Sequence, residues 1–146
     1  MTNHRAVRAL AAVFVAVMAA SALSAAQREA DKKPSLSLRV TPPAGFAPLR
    51  VRLLAEVKGG ADDYADFYCA TVQWEWDDGT ISETSEDCDP YEAGKSAIKR
   101  RFTADHTFQS SGDHRVTFRL KQKTRVVGAA TATVTVRAGA YDGGFE

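Results

Sequence analysis

An all-β chain folded as a two-sheet antiparallel β-sandwich is what the sequence predicts, and three observations predict it. Past residue 34 the apolar residues recur with period two in short runs. Turns rich in Gly, Pro and Asp separate those runs. Helical 3.6-residue spacing occurs nowhere in that region. Six or seven strands with one apolar face each need a second sheet to cover that face, and a sandwich supplies it.

The start of the chain is unlike the rest. His4, Arg5 and Arg8 precede an uncharged apolar run from Ala9 to Leu23, and small residues follow at Ser24, Ala25 and Ala26. This is the pattern of a secretory signal peptide over residues 1–26, cleaved after Ala26. The alternative is a retained anchor, since Ala9 to Ala26 approaches the roughly 20 residues that span a bilayer. Its alanine richness and the adjoining small-residue site favour cleavage. About 120 residues then remain, enough for one domain and short for two. With Arg5 and Arg8 removed, 17 basic residues face 18 acidic ones, so no overall field favours nucleic acid.

Residues 27–34 are charged and aperiodic and read as a flexible leader. The sandwich is expected over residues 35–137. Leu36, Leu38 and Val40 share one face of a first strand, and Ser37 and Arg39 the other. Pro42, Pro43, Gly45 and Pro48 then mark a connecting loop, because proline lacks the N–H that a central strand needs. Leu49, Val51, Leu53, Ala55 and Val57 alternate with polar residues in a second strand closed by Gly59 and Gly60. Val72, Trp74 and Trp76 define a third, ending at Asp78-Gly79. Ile81 to Gly94 reads as a long acidic loop with room for one short edge strand. Further strands are expected over Ser96–Thr103, His114–Lys121 (Val116, Phe118 and Leu120 inward) and Ala129–Val136 (Ala132 and Val134 inward). The glycine-rich tail, residues 138–146, should be loose.

Cys69 and Cys88 are the only cysteines. Export would place them in an oxidising compartment, so a disulfide is expected, with two free thiols or a two-ligand metal site as alternatives. Closing that loop restricts the unfolded chain by roughly 3 kcal/mol in the chain-entropy treatment.

Three segments carry a family resemblance. Trp74-Glu75-Trp76-Asp77-Asp78-Gly79-Thr80 resembles the Trp-Asp-Phe-Gly-Asp-Gly-Thr signature of polycystic kidney disease (PKD) domains. His106-Thr107-Phe108, Gly112 and Val116-Thr117-Phe118-Arg119-Leu120 resemble that family's His-Thr-Tyr, Gly and Val-Thr-Leu segments, and Pro43 to Val51 its Pro-x-x-Gly-x-x-Pro-Leu-x-Val opening. The matches follow the family's order from Leu36 to Val136. Two departures stand out: Asp77 replaces the first glycine of the turn, and the Gly79 to His106 segment is long and holds a cysteine. The resemblance implies an immunoglobulin-like sandwich that mediates protein or polysaccharide contact outside the cytoplasm. Trp74, Trp76, Asp78, Gly79, His106, Phe108 and Gly112 are read as structural. The tryptophans bring large apolar area, and Gly79 can take the positive φ of a tight turn.

Catalysis needs an assembled constellation of nucleophile, base and orienting group, or open metal ligands. Beyond the signal only His106 and His114 remain, neither in a metal motif, and no Gly-x-Ser-x-Gly elbow occurs. The expectation is therefore no enzyme, with a hydrolase as the remote alternative. Gly59 to Gly94 carries 11 acidic residues and no Lys or Arg. Clustered carboxylates suit Ca²⁺, making Asp62, Asp63, Asp66, Asp87 and Asp89 candidate ligands. The competing reading is a solvated loop, since no Asp-x-Asp-x-Asp-Gly loop is present. Ca²⁺ is the one candidate cofactor. Tyr64, Phe67, Tyr68 and Tyr91 are candidate partner-binding residues that can stack on sugars or anchor an interface; equally, they fold over the sandwich end and shield Cys69. Arg50, Arg52, Arg115 and Arg119 alternate outward on the strands, a surface suited to an acidic polymer or to plain solvation.

The reading is thus a secreted or periplasmic monomeric binding module for protein or polysaccharide, with no nucleic acid partner and no membrane span after cleavage. A structural envelope domain with Ca²⁺-stabilised acidic loops is the alternative.

Overall fold

The computed structural model describes residues 32–139. The expected signal peptide and cleavage site, most of the leader and nearly all of the tail lie outside the described residues. Among the described residues no helix is long and apolar enough to cross a membrane.

Eight strands follow in order: β1 (Ser35–Thr41), β2 (Ala44–Phe46), β3 (Leu49–Lys58), β4 (Thr71–Glu75), β5 (Ile81–Thr84), β6 (Arg101–Phe108), β7 (Gly112–Gln122) and β8 (Arg125–Arg137), with one 3-10 turn at Ala65–Phe67. They form a three-stranded sheet, β1-β3-β6, and a five-stranded sheet, β2-β8-β7-β4-β5. All pairings are antiparallel except β2 with β8. The chain crosses from one sheet to the other between β1 and β2, so its first segment lines both. This is an immunoglobulin-like two-sheet sandwich.

The period-two pattern sets the core. Val51, Leu53, Ala55 and Val57 of β3 face Val116, Phe118 and Leu120 of β7, together with Trp74, Phe102, Phe108, Val127, Val134 and Val136. Fully burying a side chain such as Phe118 or Leu53 contributes about 1.5–3 kcal/mol relative to exposure. Gly128 admits neighbours at close range. A Cβ there would come within 2.7 Å of Leu36 and 3.1 Å of Phe67, so its absence lets β1 and the 3-10 turn close against β8.

Two expectations need correction. The strand expected at Ser96–Thr103 runs instead over Arg101–Phe108, pairing with β3 from Leu49↔Phe108 to Glu56↔Arg101. Its inward set is Phe102, Ala104, His106 and Phe108, and the alternation was hidden because a small residue and a histidine occupy inward positions. The Thr41–Pro48 loop contains β2, whose three residues lack any apolar period but pair with Ala44↔Thr135 to Phe46↔Arg137 at the sheet edge. That position tolerates the flanking prolines.

Candidate functional site

The motif residues assemble around the β4–β5 turn. Trp76 bonds its N–H to the Thr80 carbonyl, and Gly79 takes φ 87°. Asp78 closes the turn through Oδ1, accepting from the Thr80 N–H at 3.0 Å and the Thr80 hydroxyl at 2.5 Å, the local bonding for which Asp favours turns. Its other oxygen lies 2.6 Å from His106 Nε2. The His106 ring stacks on Trp76 with centroids 4.2 Å apart and meets Phe108 edge-on, while Phe108 stacks on the buried His114. The Trp76 indole N–H donates to Ser82 Oγ. Burial acts most strongly on the Asp78 carboxyl and raises it, but the hydrogen bonds from Thr80 and His106 together outweigh burial and hold it below its ordinary value.

Asp77, at φ 63°, stands where the family pattern has glycine. Its carboxylate accepts the Arg115 backbone N–H at 2.8 Å, so the side chain adds a tie to β7 that glycine would not make. Asp is among the residues that tolerate this region of backbone space. An Asp–His pair is also the start of a catalytic dyad. Here the histidine ring is enclosed by Trp76 and Phe108, and Asp78 is its hydrogen-bond partner; the serine nearest the turn, Ser82, is engaged by Trp76. The arrangement is that of a structural clasp.

At the acidic end, Cys69 and Cys88 form a disulfide across 19 positions. Around it the carboxylates meet cations from outside the acidic segment. Asp62 pairs with Arg100 at 2.7 Å, Asp66 with Arg125 at 2.9 Å, Glu83 with Lys121 at 3.0 Å, Glu86 with Lys99 at 2.6 Å, Glu92 with Lys95 at 2.5 Å, and Glu75 with Arg119. Arg100 also donates to the carbonyls of Val57, Gly59, Gly60 and Ala61, fixing the exit of β3. Of the candidate Ca²⁺ ligands, Asp62 and Asp66 face these arginines and Asp63 accepts from the Gly94 N–H. Among the described residues no three His, Cys, Asp or Glu side chains gather as a metal-holding group.

The candidate aromatics divide. Phe67 is 2% exposed and belongs to the core, which corrects its assignment to a partner surface. Tyr64 packs edge-on against it. Tyr68 and Tyr91 lie 5.6 Å apart, and their hydroxyls donate to the carbonyls of Asp89 and Asp63 respectively. They lace the two loops together, with Tyr91 still 41% exposed.

The outward arginines also divide, because they lie on different sheets. Arg115 and Arg119 face outward from the five-stranded sheet beside Glu75, Asp77 and Asp113. Arg50 and Arg52 face outward from the three-stranded sheet, where Asp105 accepts from both: from Arg52 at 2.9 and 3.2 Å and from Arg50 at 3.4 Å. Arg39, Thr41 and Leu54 complete a shallow trough of about 530 Å³ on that sheet.

No protein-family description matches the chain, and no curated protein does either. Solved structures do. The chain is similar to PKD and CARDB domains. The PKD domain of an M14-like peptidase from a Thermoplasmatales archaeon is 17% identical, with 71% of this chain and 96% of that one covered and a TM-score of 0.46. A CARDB domain from Pyrococcus furiosus, solved in complex with di-metal ions, is 14% identical over 72% and 88%, with a TM-score of 0.45. A superoxide reductase from Ignicoccus hospitalis is 11% identical over 73% and 82%, with a TM-score of 0.40. These likenesses concern architecture, and the sandwich stands on its own strand order.

Sequence reasoning missed Arg39 and Arg101 as members of a basic face, and Arg100 as the hub of the β3 exit. The first pair was legible in the alternation of β1 and β6. Arg100 was not, because its partners are backbone carbonyls, which leave no mark in side-chain spacing.

Proposed function

We propose that the chain is an exported, noncatalytic binding module that contacts protein or polysaccharide. One observation carries this reading. The residue types that would build a catalytic cleft are engaged in structural bonds, His106 with Asp78 and Cys69 with Cys88, while both sheet exteriors present broad charged surfaces to solvent. A disulfide also suits the oxidising compartments outside the cytoplasm. The test is biolayer interferometry of the purified protein against a panel of polysaccharides and extracellular proteins, with the ligands analysed afterwards for cleavage. Saturable binding without turnover is expected. Ligand cleavage, or no saturable binding anywhere in the panel, overturns the reading.

A structural domain with Ca²⁺-stabilised loops is the second reading. It draws on Asp63, Asp87 and Asp89, which have no Lys or Arg against them among the described residues. It requires a melting temperature that falls with chelator by more than salt screening explains.

A further inference from the structure

The outer face of the three-stranded sheet has a charge imbalance that the fold itself does not use. Residues that point outward from β1, β3 and β6 lie in rows set by the register: Thr41, Arg52 and Asp105 in one row, Arg39, Leu54 and Thr103 in the next, Ser37, Glu56 and Arg101 in a third. Arg50 extends the grid at one end beside Thr107 and Lys58 at the other beside Ser35. Five cations therefore share this face with two carboxylates.

Each carboxylate is shared rather than matched. Asp105 holds Arg50 and Arg52, and Glu56 lies 3.9 Å from Lys58 and 3.4 Å from Arg101. Arg39 has no ion-pair partner among the described residues. The cations stay open to solvent, with the side chains of Arg50, Arg52 and Arg101 exposed by 74, 71 and 78%. Asp105 thus orients two guanidinium groups while leaving most of each accessible, which lowers the ordering cost of a later contact.

The positions make a track. Arg50 and Arg52 are two residues apart on β3, about 6.8 Å, and Arg39 lies one row on and one strand over, a further displacement of roughly 8 Å. Glu56 lies beyond Arg39's row, and the one carboxylate in the trough, Asp105 on β6, sits to the side of β3 and is already shared by Arg50 and Arg52, so a linear polymer crossing Arg50, Arg52 and Arg39 meets three guanidinium groups against one carboxylate.

We propose that this face binds an anionic polysaccharide, a sulfated or carboxylated linear glycan, through Arg39, Arg50 and Arg52. The inference rests on the binding-module reading and names its ligand class. Guanidinium forks match the planar oxygens of carboxylate and sulfate. Single-stranded nucleic acid and a bilayer fit the face less well. Stacking of single-stranded nucleic acid bases needs aromatic platforms, and lying in a bilayer surface needs exposed apolar and aromatic side chains. Between the cations this face offers Thr41, Leu54, Thr103 and Thr107, with no aromatic ring.

The experiment is isothermal titration of the purified full chain with dextran sulfate, polygalacturonate and neutral dextran at two salt concentrations. Parallel titrations use duplex DNA and phosphatidylglycerol vesicles. Binding to at least one of the two anionic glycans, weakening as salt rises and absent for neutral dextran, is expected; the preferred glycan tells sulfate from carboxylate. The triple variant Arg39→Ala, Arg50→Ala, Arg52→Ala should lose about tenfold or more in affinity and show a shallower salt dependence, with an unchanged melting temperature. Arg115→Ala, on the opposite sheet, should bind as the parent does. Tighter binding to DNA or vesicles than to either glycan overturns the proposal, as does an equal loss in the Arg115 variant. A dimer in sedimentation that the triple variant dissolves assigns the face to a second copy and likewise overturns it. If the triple variant keeps full affinity for a captured glycan or protein, this face is wrong and the binding-module reading stands. If the parent binds neither anionic glycan, this proposal falls, and the binding-module reading is decided by the wider panel of polysaccharides and extracellular proteins.

Discussion

Between Gly59 and Gly94 the chain carries 11 carboxylates and no basic residue, and six of them meet a Lys or Arg side chain brought in from outside that segment. The outer face of the three-stranded sheet is the reverse case, with five cations, two carboxylates and most of the guanidinium surface in water. The difference teaches how to read charge in a small domain. Two of the acidic segment's pairs, Glu75 with Arg119 and Glu83 with Lys121, join strands β4 and β5 to β7; in the loops around them charge substitutes for regular structure, and ion pairs, tyrosine hydroxyls and one disulfide tie them down. On the sheet, backbone pairing already fixes the strands, so the side chains are left available.

If that contrast holds, the largest effect should come from the covalent tie. Cys69→Ser with Cys88→Ser should lower stability by about 3 kcal/mol, a drop of on the order of 10–20 °C in melting temperature by calorimetry. Glycan affinity on the opposite sheet should not change. A loss of affinity would mean that the two regions are coupled and the contrast is wrong.

Next in size is Arg100→Ala, which removes a charged donor from Asp62 and four carbonyls. Hydrogen bonds of this kind are worth about 2 kcal/mol in sum once solvent competes. Urea unfolding should show that loss, and Arg100→Lys should recover only part of it, because an ammonium lacks the fork. Arg39→Ala on the sheet should cost nothing measurable.

Acid should separate the regions further. The Asp78 carboxyl sits below its ordinary value in the folded chain, so its contribution is complete above the usual carboxylate range and disappears as pH falls through the depressed value. Melting temperature followed downward from about pH 6 should therefore drop below about pH 4, and Asp78→Asn should flatten that branch while lowering stability at neutral pH. An unchanged acid branch in the variant would remove Asp78 from the account.

The smallest effect belongs to Lys95→Ala, which breaks an exposed pair with Glu92 and should cost no more than about 0.5 kcal/mol by urea unfolding. A larger loss would show that even peripheral pairs hold the acidic loops.

Much of the fold was legible because buried strands print a period of two. β1, β3, β4, β7 and β8 fell within a few residues of their expected places. β6 was displaced because the inward positions hold a small residue, Ala104, and a polar one, His106, and β2 was invisible because three edge residues need no pattern. The turn cluster was legible as a motif, though its bonding was not: only the structure brings Asp78, His106 and Trp76 together across 28 positions. The acidic segment was visible as charge, but its neutralisation was not, since Arg100, Lys121 and Arg125 arrive from strands or loops distant in sequence. Phe67 was read both as a surface anchor and as a cover over the sandwich end, because a loop aromatic and a core aromatic read alike until Gly128 is seen to make room.

The parallel pairing of β2 with β8 has a mechanical consequence. The Thr135 N–H bonds to the Pro43 carbonyl at 3.0 Å and the Ala47 N–H to the Arg137 carbonyl at 2.9 Å. Tension that draws the start of β2 and the end of β8 apart would slide these two strands along each other and load their bonds together in shear, whereas an antiparallel hairpin pulled at its open end unzips one bond at a time. Tension applied at those two points would therefore be carried by this seam as a unit, through the three residues from Ala44 to Phe46.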